Sequence, residues 1–84
     1  MKLVVSYHHV DHSPALDEYI NKKSKRLERV SNKLNRAFWV ISRKGREFSA
    51  ALKLSGNKVF KASEENPFKA VKRVLEKAGR SMAA

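Results

Sequence analysis

The segment from Ser13 to Leu34, SPALDEYINKKSKRLERVSNKL, decides the fold of this chain. Its apolar residues recur at steps of three and four, which is the spacing of a helix that buries one stripe of side chains. These residues are Leu16, Tyr19, Ile20, Leu27, Val30 and Leu34. Ser13 is suited to cap the first free amides, and Pro14 to take the first helical position. Asp17 and Glu18 favour the positive end of the helix dipole. The segment therefore predicts an amphipathic helix with a well-marked start.

The polar side of this predicted helix is cationic. It carries Lys22, Lys25, Arg26, Arg29 and Lys33. Such a run is usually no more than a solvated helix surface, but the whole chain has 19 Lys and Arg against 8 Asp and Glu, a formal net charge of +11 on 84 residues. Self-repulsion of this size weakens a compact state, so the excess indicates a polyanionic partner. Nucleic acid is the first candidate and an anionic membrane surface the second.

Composition bounds the class of protein. Apolar residues make up 42% of the chain, which is typical of a folding sequence and not of a basic disordered tail. There is no cysteine, which excludes disulfides and thiolate metal sites. The apolar run from Leu3 to Val5 is too short for a signal peptide or a membrane span. We expect one soluble, cytoplasmic domain over residues 1–84.

Strand patterns flank the first helix. Lys2 to Tyr7 is predicted to form a first strand, and Asn35 to Lys44 a central strand because it is apolar on both faces. Alternation places Phe38 and Trp39 on opposite faces of that strand, and the pattern alone does not decide which is exposed. For both, core packing or shielding of the sheet is favoured over stacking on bases.

The rest of the sheet is predicted to be a meander. After a turn at Lys44-Gly45, Phe48 to Leu54 alternates as a half-buried strand. The sequence Ser55-Gly56-Asn57 then favours a hairpin, and Lys58 to Ser63 returns as the last strand.

Asn66 and Pro67 repeat the pattern of Ser13 and Pro14 and open a second amphipathic helix. Its predicted apolar stripe is Phe68, Val71, Leu75, Ala78 and Met82. Its cationic residues are Lys69, Lys72, Arg73, Lys77 and Arg80. The predicted fold is therefore α+β, in the order β-α-β-β-β-α, with a four-stranded mixed sheet and two helices packed on one face. The two basic helices would make a broad positive surface.

A metal-dependent nuclease is one alternative function. His8, His9, Asp11 and His12 are all potential metal ligands in one loop. Ligands this close in a short loop rarely converge, and the acidic residues elsewhere lack paired spacing. We therefore predict a surface loop, with no catalytic or metal site.

The chain resembles the ribosome hibernation factors, the family of the ribosome-associated inhibitor and the short hibernation-promoting factor. Near the N-terminus the resemblance rests on Leu3, Val5, Ser13, Ala15, Leu16, Tyr19, Ile20, Lys23 and Leu27. In the last third it rests on Gly56, Val59, Phe60, Ala62, Asn66, Phe68, Ala70 and Val71. The sequence departs from the family pattern at Pro67 and Lys72, where the family has Met and Asp.

The resemblance implies binding to the small ribosomal subunit and its 16S-type rRNA, in the channel for messenger and transfer RNA. It also implies inhibition of translation under stress or in stationary phase, without catalysis, a cofactor or a small-molecule substrate. The ten cations named on the two helices would contact phosphates, which is a salt-dependent interaction largely indifferent to sequence. A double-stranded-RNA-binding domain is the other alternative, because Phe48 to Ala78 also resembles that module. Against it, that module has no place for the leading strand.

Overall fold

The computed structural model of the chain describes residues 2–30, 36–54 and 58–83. Its elements are, in order, β1 (Lys2–His8), α1 (Pro14–Val30), β2 (Arg36–Lys44), β3 (Glu47–Leu54), β4 (Lys58–Glu64) and α2 (Pro67–Ala83). The predicted order β-α-β-β-β-α is confirmed. The predicted end of the first helix, with Lys33 and Leu34, and the predicted turn at Ser55-Gly56-Asn57 lie outside the described residues.

The four strands form one mixed sheet in the order β1-β2-β3-β4. β1 runs parallel to β2, so that Val4 lies opposite Phe38. The pairs β2–β3 and β3–β4 are antiparallel, and they continue the same row through Lys53 to Val59. Successive side chains of a strand point to opposite faces of the sheet. The residues of this row, and every second residue along each strand from them, therefore lie on one face.

The other face of the sheet packs against both helices. The buried core is formed by Leu16, Ile20, Leu27, Ala37, Trp39, Ile41, Ala50, Leu52, Leu54, Ala70, Val71, Val74 and Ala78. Leu3, Val5, Tyr7, Phe60 and Ala62 extend it from the outer strands. Both helices thus lie on one face, as the sequence predicts.

The core is centred on β2. Trp39 is 0% exposed, while its neighbour Phe38 is 38% exposed on the opposite face. The Trp39 indole Nε1–H donates a hydrogen bond of 3.2 Å to Ser24 Oγ, and Ser24 is only 1% exposed. A buried donor without a partner is costly, so a serine within the helix's core stripe is explained by the indole that it faces.

Both helix starts are capped as the sequence predicts. Ser13 Oγ accepts a hydrogen bond of 3.2 Å from the Leu16 amide. Asn66 Oδ1 accepts one of 2.8 Å from the Phe68 amide. Each cap satisfies one of the amides that a helix leaves without an internal partner.

The apolar stripe of α2 differs from the predicted one. Val71 and Ala78 are buried, but Leu75 is half-buried and Phe68 is 37% exposed. Ala70 and Val74, which the prediction omitted, complete the buried stripe. The stripe is rotated because α2 also packs on β3 and β4, whereas Phe68 and Leu75 face α1. The side chain of Met82 lies outside what the structure describes.

Candidate nucleic-acid interface

The cations predicted on α1 all lie in solvent where the structure describes them. Lys22, Lys25, Arg26 and Arg29 are exposed. The buried stripe of Leu16, Ile20 and Leu27 holds the opposite side of the helix against the sheet. A helix anchored in this way presents its charges at fixed positions, and it needs no ordering of its backbone when a partner binds.

The cations predicted on α2 are also exposed, but they fall into two groups. Arg73 Nε lies 2.9 Å from Glu64 Oε1, and Lys77 Nζ donates a hydrogen bond of 2.8 Å to the Lys61 carbonyl oxygen. These two side chains are therefore directed toward β4, away from α1. Lys69, Lys72 and Arg80 are exposed, and Lys72 lines the groove between the helices.

A groove of about 280 Å³ runs between the two helices. It is lined by Tyr19, Lys23, Arg26 and Leu27 from α1 and by Lys72, Leu75 and Glu76 from α2. Its lining is mostly apolar, and Lys23, Arg26 and Lys72 bring positive charge to it from both sides. An edge-to-face contact between Tyr19 and Phe68, with ring centroids 5.4 Å apart, fixes the helices to each other at one end.

Lys23 is a functional candidate that the sequence reasoning missed. Its ammonium lies 5.7 Å from the centroid of the Tyr19 ring, and the side chain is half-buried beside the groove. The signal was available, because residues four apart on a helix are neighbours and an aromatic ring attracts a cation over its face. The ring holds this charge where a phosphate entering the groove would meet it.

The Asp17 carboxylate, in the first turn of α1, has partners within the protein. Asp17 Oδ1 accepts a hydrogen bond of 2.7 Å from the Tyr7 hydroxyl, and Asp17 Oδ2 contacts His12 Nε2. Burial raises the pKa of Tyr7, and the hydrogen bond and charge of Asp17 raise it further. Tyr7 therefore stays a protonated donor and joins the end of β1 to the start of α1.

The histidines between β1 and α1 have separate surroundings. His12 is engaged by Asp17, His8 Nε2 lies 3.3 Å from Ser6 Oγ, and His9 has a backbone φ of 60°. Across residues 2–30, 36–54 and 58–83, no three or more His, Asp or Glu side chains lie close enough together to hold a metal ion. Within the same residues, no helix is long and apolar enough to cross a membrane.

These features define a class of protein: a small basic α+β domain whose two-helix layer presents cations to solvent. A family model described as sigma 54 modulation protein / S30EA ribosomal protein matches residues 3–83. The chain belongs to that family, and the expectation of a ribosome hibernation factor is confirmed at the level of the family. Among proteins with curated descriptions, none matches this chain.

Solved structures share the fold. The crystal structure of the Thermus thermophilus Protein Y N-terminal domain is similar with a TM-score of 0.84 at 19% identity, over 99% of this chain and 97% of that one. A ribosomal subunit interface protein from Coxiella burnetii is similar with a TM-score of 0.80 at 22% identity, over 99% of this chain and 94% of that one. At these identities the likeness shows the fold.

Proposed function

We infer that this chain is a ribosome hibernation factor that binds the small ribosomal subunit in the channel for messenger and transfer RNA. The observation that carries the proposal is the helix layer: α1 and α2 lie side by side, are anchored through buried stripes, and direct cations outward and into the groove between them. Residues 1–84 act as one ribosome-binding unit in the cytoplasm, and binding needs no cofactor or small-molecule substrate.

The proposed contacts divide by position. The helix face is defined by Lys22, Lys25, Arg26 and Arg29 on α1 and by Lys69, Lys72 and Arg80 on α2. Lys33, which the sequence analysis also names, lies outside the described residues. Arg73 and Lys77 contribute less, because each already has a partner on β4. The helix face neutralises phosphates, and the spacing of its charges on a rigid surface selects folded rRNA by shape.

The proposal is favoured over the two alternatives on specific grounds. In a double-stranded-RNA-binding domain the leading strand has no place, yet β1 pairs along its whole length with β2. For a nuclease, the loop histidines would have to converge on a metal, whereas His12 lies against Asp17 and His8 against Ser6. Occlusion of the channel inhibits translation by binding alone.

Sedimentation through a sucrose gradient with separated subunits tests the proposal. The chain should migrate with the small subunit and not with the large one. Prior filling of the channel with messenger and transfer RNA should prevent this co-migration. Binding to the large subunit, or binding unaffected by a filled channel, would contradict it.

A further inference from the structure

The face of the sheet turned away from the helices is a second surface, which the helix face does not explain. We name it the open sheet face and define it by the side chains of the described strands that point away from the helices. They are Lys2, Val4, Ser6, His8, Arg36, Phe38, Val40, Ser42, Lys44, Glu47, Ser49, Ala51, Lys53, Val59, Lys61 and Ser63. None of the described helices covers it, since α1 and α2 both pack on the other side.

Phe38 lies on a central strand of this face, in the second of its five described rows. It is 38% exposed, and in the same row Val4 and Val59 are also exposed. Strands lie about 4.8 Å apart, so the row from Val4 through Phe38 and Lys53 to Val59 spans roughly 15 Å. An aromatic ring exposed on a central strand has no packing role to explain it, because the core is already filled by Trp39 from the other side of β2.

The open sheet face is cationic around Phe38. Lys53 is the cross-strand neighbour of Phe38, and Lys2 and Arg36 form the adjacent described row. Lys61 lies one row further on, opposite Ala51. The acidic residue of this face is Glu47, which pairs with Lys44 near the distant hairpin. The ring is therefore surrounded by positive charge with no carboxylate in the neighbouring described rows.

Most of the side chains around the Phe38 ring are short. The next side chain along β2 is the half-buried Val40, flanked by the small residues Ser6 and Ala51. Further on, the Ser49 and Ser63 hydroxyl oxygens lie 2.9 Å apart. On the β1 side, a recess of about 280 Å³ is lined by Lys2, Val4, Arg36, Ala37 and Phe38. A flat partner can thus approach the exposed part of the ring while its charged groups lie among the lysines.

We propose that the open sheet face binds single-stranded RNA, with an unpaired base stacked on Phe38 and the flanking phosphates held by Lys53, Lys61 and Arg36. Aromatic side chains beside a cationic track are the recurrent means of binding single strands, because every base offers a stacking face. A duplex does not suit this surface, since its bases are stacked on each other and unavailable. The helix face and the open sheet face then hold different forms of RNA on opposite sides of the protein.

Two other occupants fit the surface less well. A second copy of the chain would bring another net charge of +11 against the same cations. A protein partner would meet Lys53 inside the apolar row, whereas the centres of protein interfaces are depleted in lysine. Charge complementarity therefore favours a polyanion with exposed bases.

The proposal is tested by fluorescence anisotropy with a labelled oligouridylate of about 10 nucleotides, a length within the usual site sizes for single strands. The chain carries Lys25→Gln, Arg26→Gln and Arg29→Gln, which weaken the helix face without adding repulsion. In this background Phe38→Ala should weaken binding at least about fivefold. Phe38→Leu, which keeps apolar bulk but removes the ring, should also weaken it. Phe68→Ala, which removes an equally exposed ring from α2, should change it less than twofold.

The possible outcomes decide the proposal. Unchanged affinity for Phe38→Ala, or no binding of the oligonucleotide by the neutralised background, overturns it. Self-association of the wild-type chain that Phe38→Ala abolishes would assign the face to a second copy and would also overturn it. Circular dichroism and the fluorescence of buried Trp39 verify the fold of each variant. Because no ribosome is present, these results are independent of the gradient experiment on the helix face.

Discussion

The helix face and the open sheet face are both basic, yet they are built differently. On the helix face, cations stand on two elements whose apolar stripes are buried, and aromatic rings are used within the protein, as in the contact of Tyr19 with Phe68. On the open sheet face the cations are fewer, and Phe38 itself is exposed among them. The helix face offers charge beside two rings that pack on each other, and the open sheet face offers charge around a ring that stands on a flat surface.

This difference separates two modes of RNA binding. Phosphate neutralisation is strong, falls with salt and ignores base identity. Stacking requires an unpaired base, and the free energy of the stack itself does not come from counterion release, whereas the flanking phosphate contacts of the open sheet face weaken with salt. Under the two proposals, these 84 residues bind folded rRNA through the helix face and unpaired RNA through the open sheet face.

The largest expected effect is on the salt dependence of small-subunit binding. If about six cations of the helix face contact phosphates, the logarithm of affinity should fall with the logarithm of salt at a slope of about −4 to −5. Between 50 and 200 mM salt, this slope corresponds to a loss of about 250- to 1000-fold. Filter binding across that range measures it, and a slope near zero would exclude phosphate neutralisation. The factor lost through Phe38→Ala with oligouridylate should stay nearly constant over the same range.

Leu27→Ala tests whether the buried core under the helix face contributes to binding apart from the charges on that face. Leu27 is buried and lies under the groove, so its truncation should lower the free energy of unfolding by about 2 to 5 kcal/mol while removing no cation. Urea denaturation followed by circular dichroism measures the loss. Without urea, and at a temperature where the variant remains folded, its affinity for the small subunit should be close to that of the wild-type chain. A large loss of affinity in the folded variant would show that the groove needs the side chain itself.

Ser24→Ala tests the hydrogen bond that joins α1 to β2. Without Ser24 Oγ the buried Trp39 indole N–H has no partner, so the free energy of unfolding should fall by about 1 to 3 kcal/mol. Adding Ser24→Ala to Trp39→Phe should cost less than it does in the wild-type chain, since no donor is left unpaired. Equal costs in the two backgrounds, measured by urea denaturation, would mean that the hydrogen bond contributes nothing.

Arg73→Gln should have the smallest effect. The Arg73 side chain is 64% exposed and its partner Glu64 28% exposed, and ion pairs near the surface contribute about 0 to 1 kcal/mol to stability. Because Arg73 is directed toward β4, its removal should also reduce small-subunit affinity less than Lys72→Gln does. Filter binding measures the small-subunit affinity of the two variants, each of which has lost one positive charge. A greater loss for Arg73→Gln would move the interface toward β4.

Local signals predicted much of the fold. Ser13 and Asn66 cap their helices because capping depends on a few consecutive residues. The alternation in β2 correctly separated Phe38 from Trp39. Which of the two is buried could not be predicted, since that depends on the face of the sheet that the helices cover.

The remaining features depend on contacts between elements distant in sequence. Ser24 lies in a cationic run, and its burial follows from the position of Trp39 in the folded sheet. Arg73 and Lys77 have the same helical spacing as the other cations of α2, and only the approach of β4 distinguishes them. For the same reason the stripe of α2 was predicted with Phe68 in the core, whereas Phe68 lies against Tyr19 at the exposed edge of the helix pair.

The central claim, that the helix face carries ribosome binding, is tested most directly by charge reversal with a matched control. One variant carries Lys25→Glu, Arg26→Glu and Arg29→Glu on α1. The other, the hairpin variant, carries Lys44→Glu, Arg46→Glu and Lys58→Glu at the hairpin ends of the sheet, which gives the same total change of charge at exposed positions.

Both variants should keep wild-type circular dichroism, because exposed substitutions usually change stability by about 0.5 kcal/mol or less each. The measurement is co-sedimentation of each variant with the small subunit at moderate salt. The account predicts that the α1 variant is lost from the small-subunit fraction while the hairpin variant remains in it. If the α1 variant is folded and still co-sediments, or if both variants lose binding equally, then the helix face is not the ribosome-binding surface.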